Sequence, residues 1–498
     1  MQFNSHTLIE LCYTICVNSL EENYMIDLKN IKKVHCIGIG GIGLSAIADI
    51  LLARGYEVTG SDMNQSAKVE KLMDDGITVY LGHRAKNVEG ADLVVYTVAL
   101  ADDNPELVRA RELGIPCITR GKMLGLLMRE SHTSIAISGT HGKTTTTAMI
   151  SLVMKHAGLD PTIAVGGNLE ELGGNVAVGG DEYFIAEACE YRDSFLELHP
   201  NIEVILNIDS DHLDYFKDIE HIVRSFEEFV SLLPEDGLLF AYDANPFVKR
   251  VIKGKDNVIT FGMSEGCDYS ADDLEFNENG YPGFTVWHRV TKGGRAEQVG
   301  HIQLSVPGEH NLLNALVTFA VCDTLGVDRE VITSTLEKFT GTQRRFDIMG
   351  ETRNGMRIVD DYAHHPTEIK ATLSAATHLE HDKIWCIFQP HTYTRTIALF
   401  DEFPEAFLAA DKIVFAEIYA AREKNIHKIS SRELAAEMRR RYPEKDVYFF
   451  ESLEEIANFV YNNAGADDLV LTMGAGDVYK VGEMILEKDG VTRGQRIR

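Results

Sequence analysis

The segment TSIAISGTHGKTTTTAMISLVMKHAG, residues 133–158, sets the narrowest limits on the fold. It opens as a β-branched apolar run, turns through Gly139 and Gly142, and continues with a helical pattern that ends at Gly158. A strand that feeds a helix through a glycine loop is half of a βαβ unit, and its loop lies at the C-terminal edge of a parallel sheet. Backbone N–H groups of Gly139, Thr140, His141 and Gly142 can cradle phosphate there. Lys143 can neutralise β- and γ-oxygens, and the Thr144 hydroxyl can ligate Mg²⁺. The spacing is GxxGK[ST]. The commoner GxxxxGK[ST] form would need glycine where Ile137 stands, which separates this loop from those of GTPases and motor ATPases.

The same strand, glycine turn and helix appear earlier. VHCIGIG reads as a strand, 44–54 as a helix ended by Gly55, and YEVTGSD as the next strand, with ITVYLG, DLVVYTVA and PCIT to follow. This first α/β unit spans 25–130. A second, 131–340, holds TSIAIS, EYFIAEA, the apolar run 202–208, a long ligand-facing stretch and the helix NLLNALVTFAVCDTLG. A third, 341–498, alternates helices with MRIVDDY, KIWCIFQP, KIVFAEI and DLVLTMG. The expected class is α/β, in three domains with largely parallel sheets. Residues 1–24 lack regular period, and the better-patterned stretch opens at Met25, so they read as an appended or mis-called start that is dispensable, with a regulatory or docking arm as the functional alternative.

At 498 residues, about three domains is the usual number. A formal net charge of −28 argues against a sequence-independent grip on nucleic acid or anionic lipid, so a nucleotide site must gather its positive charge locally. Nothing approaches the ~18 apolar residues of a membrane helix, and the run 8–17 contains Glu10 and makes no convincing signal peptide. The eight scattered cysteines form no CxxC pair, and Cys12 and Cys16 have helical spacing. Reduced thiols in a cytoplasmic protein are expected.

Further groups cluster at predicted strand ends. Gly38-Ile-Gly40-Gly-Ile-Gly43 is a GxGxxG turn with Asp62 closing the next strand, suited to a pyrophosphate and ribose hydroxyls. Alone it suggests a nicotinamide dehydrogenase as readily as a sugar-nucleotide site. Glu187, Glu190 and Asp193 follow one strand and Asp211-His212 another, so Glu187 and His212 can stand near Mg²⁺ with Thr144, although imidazole is an unusual Mg²⁺ ligand. Asn311 and Asn314 lie one helical turn apart, and Arg344-Arg345-Phe-Asp347 follows. Asp360-Asp361-Tyr362-Ala-His364-His365, Gln389-Pro-His391-Thr392-Tyr-Thr-Arg395 and Gly474-Ala-Gly476-Asp477 close three strands of the last unit.

Taken together, HCIGIGGIGLSAIA, SGTHGKTTTT, NIDSDHLDYF, GEHNLLNA, RRFD, DDYAHHPTEI, FQPHTYTRT and TMGAGD resemble, in order, the motifs of the Mur ligases of peptidoglycan synthesis, over roughly 33–480. The resemblance implies a UDP-sugar domain, a central ATPase and a C-terminal Rossmann-like domain for the incoming amino acid. It makes Gly38, Gly40, Gly43 and Asp62 part of a UDP site. It implies that Gly139 to Thr145 hold ATP phosphates, that Thr144, Glu187 and His212 organise Mg²⁺, and that Asn311 and Asn314 meet adenine. Arg345 and Asp361 would approach phosphate and ribose, with Lys143, Glu187, His212 and Arg345 serving catalysis. His391 and Arg395 would lie near the amino acid carboxylate.

The implied activity is ATP-dependent ligation of an amino acid to the carboxylate of UDP-N-acetylmuramate through an acyl phosphate. The details of GIGGIG and PHTYTRT favour L-alanine as acceptor over a preformed peptide. No obligate protein partner is expected. Two departures stand out: Thr392 replaces an arginine of FQPHRYTRT-like family segments, and SFEEFVSLL lacks the lysine that some sister ligases carbamylate. His212 and His364 are candidates for the base that takes the amine proton.

Overall fold

Strand and helix alternate from Lys33 onward in the computed structural model, which describes residues 26–97, 100–213, 215–291 and 293–494. The arm 1–24, with Cys12 and Cys16, lies outside the described residues. Two compact units follow one another along the chain, the first ending at Arg120.

The first unit is a five-stranded parallel sheet in the order β3-β2-β1-β4-β5, formed by β1 (Lys33–Ile37), β2 (Glu57–Asp62), β3 (Thr78–Leu81), β4 (Leu93–Tyr96) and β5 (Cys117–Thr119). Helix α1 (Ile42–Ala53) crosses from β1 to β2. It begins two residues before the expected start, and buries Leu44, Ile47 and Leu51, which are spaced three and four apart. Gly40 is required by packing: a Cβ there would lie 2.8 Å from Asp62 Oδ2 and 2.9 Å from Val69 Cγ2.

The second unit contains two sheets. The larger has ten strands: β6 (Thr133–Ser138), β7 (Thr162–Leu169), β8 (Gly174–Ala177), β9 (Tyr183–Glu187), β10 (Ile202–Ile205), β11 (Leu238–Tyr242), β12 (Val258–Gly262), β13 (Tyr269–Phe276), β14 (Pro282–His288) and β15 (Glu297–Gln303). Their order is β15-β14-β13-β12-β11-β10-β6-β9-β7-β8, with β7 and β9 to β13 parallel to β6 and β8, β14 and β15 joined in antiparallel pairs. Helices α2 (Lys143–His156) and α3 (Glu309–Thr324) share one core, where Met149, Leu152 and Val153 meet Leu316, Phe319 and Ala320.

The long ligand-facing stretch expected before α3 carries five strands, β11 to β15. In β13 Asp272 and Asp273 are exposed and the pairing with β14 shifts between Asp272 and Glu275, which interrupts the strand's alternation.

The other sheet has the order β16-β17-β21-β18-β19-β20, from β16 (Asp347–Glu351), β17 (Arg357–Asp361), β18 (Ile384–Phe388), β19 (Lys412–Phe415), β20 (Asp446–Phe449) and β21 (Leu469–Met473). Only β16 pairs antiparallel. Both faces are covered: Val359, Phe388 and Leu471 enter one core, while their neighbours Ile358, Ile387 and Val470 enter another. Helices α4 (Pro366–Thr377) and α5 (Tyr393–Ala398) start just after β17 and β18. The described cysteines are all unpaired, and Cys36, Cys267, Cys322 and Cys386 are buried. No helix among the described residues is long and apolar enough to cross a membrane.

Candidate active site

Strands β9, β6 and β10 lie side by side, so the chain leaves all three C-terminal ends at one place on the sheet edge. The loop after β6 turns with positive φ at Gly139 and Gly142. It is stapled to the end of β10: His141 N donates to Asn207 Oδ1 at 2.8 Å, and Asn207 Nδ2 returns a bond to His141 O at 3.0 Å. Lys143 Nζ reaches Gly139 O at 2.5 Å, Thr140 O at 3.0 Å and Glu190 Oε2 at 2.9 Å. Burial alone would lower its pKa, but Glu190 together with Cys189 and Glu187 outweighs burial and holds the ammonium above its ordinary range.

Thr144 Oγ1 donates to Glu187 Oε2 at 2.9 Å, and Gly166 N donates to the same oxygen at 2.8 Å. A hydroxyl and a carboxylate at the end of a phosphate loop are hard oxygen donors of the type Mg²⁺ takes. His212 has φ 53°, and its Nε2 stands 3.9 Å from Glu190 Oε1 and 3.8 Å from Asp211 Oδ2, beside the Tyr191 ring. Asp193 is held elsewhere, accepting bonds from the Tyr215 and Ser225 hydroxyls.

A cavity of about 440 Å³ opens beside the loop, lined by Thr144, Thr145, Asn311, Asn314, Arg345 and Asp361 among others. Asn314 Nδ2 donates to Asn311 Oδ1 at 3.2 Å, and Thr146 Oγ1 donates to Asn314 Oδ1 at 3.1 Å, so the amide pair is fixed by the fold. Tyr242, Phe247, Phe261 and Phe339 give the cavity aromatic walls. In the sequence each of these reads as ordinary core. The one local signal is Asn245-Pro246-Phe247, in which Asn245 caps a short helix and also donates to Ile208 O at 3.1 Å.

The far wall comes from the smaller sheet. Asp361, at the end of β17, accepts bonds from Phe346 N at 2.8 Å and Ala363 N at 2.7 Å, and burial raises its carboxyl to about 6 against the pull of Arg345. His141 Nδ1 is 3.2 Å from Glu368 Oε1 and its Nε2 is 3.3 Å from Asp209 Oδ2. Burial would depress this imidazole, but the two carboxylates raise it to about 9. Thr367 Oγ1 donates to Asp209 Oδ2 at 2.8 Å, and His365 Nε2 lies 3.0 Å from Ser210 O. His141, Asp209 and His365 are close enough to share a metal ion. Yet the four ring nitrogens already have partners, the fourth accepting from Thr367 N at 3.2 Å. The trio is a hydrogen-bonded clasp between the two sheets.

A second cavity, of about 560 Å³, is lined by Asp211, His212, His391, Thr392, Arg395 and Arg422 among others. Asp209 lines the first cavity and Asp211 the second, with one residue between them. Arg395 Nε donates to Asp211 Oδ1 at 2.9 Å, its Nη2 stands in an ion pair with the same oxygen at 2.9 Å, and its Nη1 donates to His391 O at 2.8 Å. Burial opposes ionisation of Asp211, but His212 and Arg395 hold it well below the usual carboxylate range. Burial pushes His391 down to about 4, and His364 likewise. His364 Nδ1 meets Tyr362 O at 2.9 Å, which leaves the lone pair on Nε2.

In the first unit, Gly38 sits at φ 85° and Gly40 N donates to Asp62 Oδ2 at 2.9 Å, while Asp62 Oδ1 takes Asn64 N at 3.0 Å. A Cβ on Gly43 would fall 2.8 Å from the Arg120 side chain. The glycine turn, Asp62 and Arg120 are thus gathered in one place.

Comparison with known proteins gives a consistent picture. Family models described as Mur ligase family, catalytic domain, Mur ligase middle domain, and Mur ligase, glutamate ligase domain match residues 33–132, 137–322 and 344–476. The chain is 49% identical to the UDP-N-acetylmuramate–L-alanine ligase of Acetivibrio thermocellus, over 94% of this chain and 98% of that one. It is 48% identical to the ligase of the same name from Caldanaerobacter subterraneus, over 93% and 99%. Among solved structures it is similar to the UDP-N-acetylmuramate-alanine ligase of Thermotoga maritima, with 31% identity, a TM-score of 0.76 and coverage of 92% and 98%. A murein peptide ligase from Psychrobacter arcticus also matches, with 25% identity, a TM-score of 0.68 and coverage of 92% and 99%.

Proposed function

We propose a function from one premise: the chain belongs to the Mur ligase family. It joins L-alanine to the carboxylate of UDP-N-acetylmuramate and converts ATP to ADP and phosphate, a step of peptidoglycan synthesis. The observation that carries this reading is the pair of adjoining cavities. One couples a phosphate loop to an aromatic-walled space, and the other begins one residue away with Asp211, His212 and Arg395.

In this reading the three segments 25–130, 131–340 and 341–498 serve UDP-sugar, ATP and amino acid in turn. Gly38, Gly40, Gly43 and Asp62 receive the UDP group. Gly139 to Thr145 hold the phosphates of ATP, Asn311 and Asn314 face its base, and Arg345 and Asp361 face its sugar and phosphates. His391 and Arg395 wall the amino-acid site. Thr144, Glu187 and His212 would hold Mg²⁺, which when bound offsets charge on phosphoryl oxygens. With ATP and a UDP-sugar as substrates, the protein works in the cytoplasm.

A carboxylate is a poor electrophile, so a carboxylate oxygen of the sugar nucleotide first attacks the γ-phosphorus and ADP leaves, giving an acyl phosphate. The neutral amine of alanine then attacks the acyl carbon, and phosphate leaves with the C–O bonding pair. Lys143 meets the charge that builds during phosphoryl transfer, leaving Glu190 to do so. His364, uncharged near neutrality with a lone pair on Nε2, and His212 are the candidates for the base that takes the amine proton.

Phosphate release from ATP in the presence of UDP-N-acetylmuramate and single amino acids tests the proposal. L-Alanine should be the best acceptor, with glycine and L-serine poorer but active, because one methyl group discriminates by only about 1–3 kcal/mol. A di- or tripeptide that outperforms L-alanine would overturn the acceptor assignment.

A further inference from the structure

We infer that Arg422 is the group that receives the carboxylate of the incoming amino acid. The inference rests on the ligase reading above and deepens its acceptor site. Two full cations line the 560 Å³ cavity, Arg395 and Arg422. Arg395 is already spent inside the protein. Its Nε and Nη2 both serve Asp211, its Nη1 serves His391 O, and its side chain and that of Asp211 are only 12% and 9% exposed. Turning this guanidinium toward a ligand would strand a buried carboxylate, which is costly because little water reaches it.

Arg422 is in the opposite condition. It is exposed, lines the cavity, and has no hydrogen bond or ion pair with any described residue. Its neighbour Glu423 does not neutralise it. That carboxylate is taken up by Thr392 Oγ1 at 2.7 Å, by Thr394 N at 2.9 Å, and by the Thr394 hydroxyl. The residue before it, Ala421, is held at φ 50°, a conformation that a non-glycine residue adopts only when its surroundings impose it.

The same bonds explain the departure at position 392. Family segments of the FQPHRYTRT type carry an arginine there, whereas Thr392 spends its hydroxyl on Glu423. The charge missing from one rim of the cavity is present on the facing loop as Arg422. A guanidinium pairs with a carboxylate through two parallel bonds, so this exchange keeps the chemistry and moves its source.

A carboxylate could reach Arg422 from the amino acid or from the sugar nucleotide, and steady-state constants for the two substrates separate these sources. Arg422→Ala should raise KM for L-alanine roughly 10–100-fold, the size expected for losing a charge-assisted hydrogen-bond pair. KM for ATP and for UDP-N-acetylmuramate, and the melting temperature, should stay near wild-type values. The variant should also lose the wild-type preference for L-alanine over L-alaninamide, which lacks the carboxylate. Arg422→Lys should recover part of the loss, and adding Thr392→Arg to Arg422→Ala should recover part by returning the charge to the other rim. An unchanged KM for L-alanine overturns the inference, and so does a rise confined to UDP-N-acetylmuramate. If the unaltered protein releases no phosphate with L-alanine at all, the failure lies with the ligase reading and not with Arg422.

Discussion

His141, in the loop after β6, and Glu368, in the first turn of α4, meet at 3.2 Å on the wall of the 440 Å³ cavity, with Asp209 on the other side of the imidazole at 3.3 Å. The bond ties the loop after β6 to the smaller sheet, so the proton on His141 contributes to holding the two sheets together. The folded pKa, about 9, lies above the usual value of about 6.5 for an unfolded chain. The stabilisation is therefore complete below pH ~6.5 and is lost as pH rises through about 9. The melting temperature of the native protein should exceed that of His141→Asn at pH 6.5, and the gap should close by about pH 10. A gap that is constant with pH would show that the imidazole acts through packing alone.

Lys143 bonds two carbonyls of its own loop and Glu190, a placement from which it can pass to phosphate without leaving the loop. Lys143→Ala should lower the rate of phosphate release by at least about 10²–10³, the usual cost of removing one group that stabilises transition-state charge. Binding of UDP-N-acetylmuramate, measured by calorimetry, should change less than a few-fold, because its site is proposed on the first unit. A large loss of UDP-sugar affinity in a folded variant would contradict that division.

The phosphate loop was legible because everything it needs is local. The two glycines, Lys143 and Thr144 lie within six residues, and the strand and helix flanking them have unambiguous patterns. The GxGxxG turn was equally legible as a turn, but its ligand was not, since any pyrophosphate offers that backbone the same oxygens. The aromatic wall was hidden because Tyr242, Phe261 and Phe339 come from distant segments and have the spacing of core residues. Asp211 could be picked out as an acid at a strand end, but its partner Arg395 is 184 positions away, and nothing local reports that the guanidinium is engaged. Arg422 is silent in the sequence for the same reason: its role follows from the engagement of Arg395.

The ion pair of Arg395 and Asp211 joins α5 to the loop after β10, with both groups mostly buried. Removing one partner of such a pair leaves the other charge unpaired, which costs about 3–5 kcal/mol. Arg395→Ala should therefore lower the melting temperature by several degrees and reduce kcat, because His212 lies 3.8 Å from the stranded Asp211. Arg395→Ala combined with Asp211→Asn should recover much of the stability. If both variants melt like the native protein, the pair contributes nothing to the fold and Arg395 is free to bind ligand.

Glu203 provides a test of the larger sheet itself. It sits in the middle of β10, between β6 and β11, fully buried, and neither carboxylate oxygen has a hydrogen-bond partner among the described residues. Burial raises its pKa well above the ordinary carboxylate range, and Lys255 only partly opposes this. The folded protein thus binds this proton more tightly than the unfolded chain. Stability conferred by the protonated form is complete below the unfolded value of about 4.3 and declines as pH rises toward the folded one. At neutral pH the native protein carries that cost, and glutamine, uncharged and of the same shape, does not. Glu203→Gln should raise the melting temperature at pH 7.5 by about 1–2 °C for each kcal/mol recovered. The advantage should shrink as the pH is lowered toward 5, where the native glutamate is protonated in both states for an increasing fraction of molecules. An equal or lower melting temperature for the variant at pH 7.5 would mean that the carboxylate is solvated or paired in solution and that β10 carries no such burden.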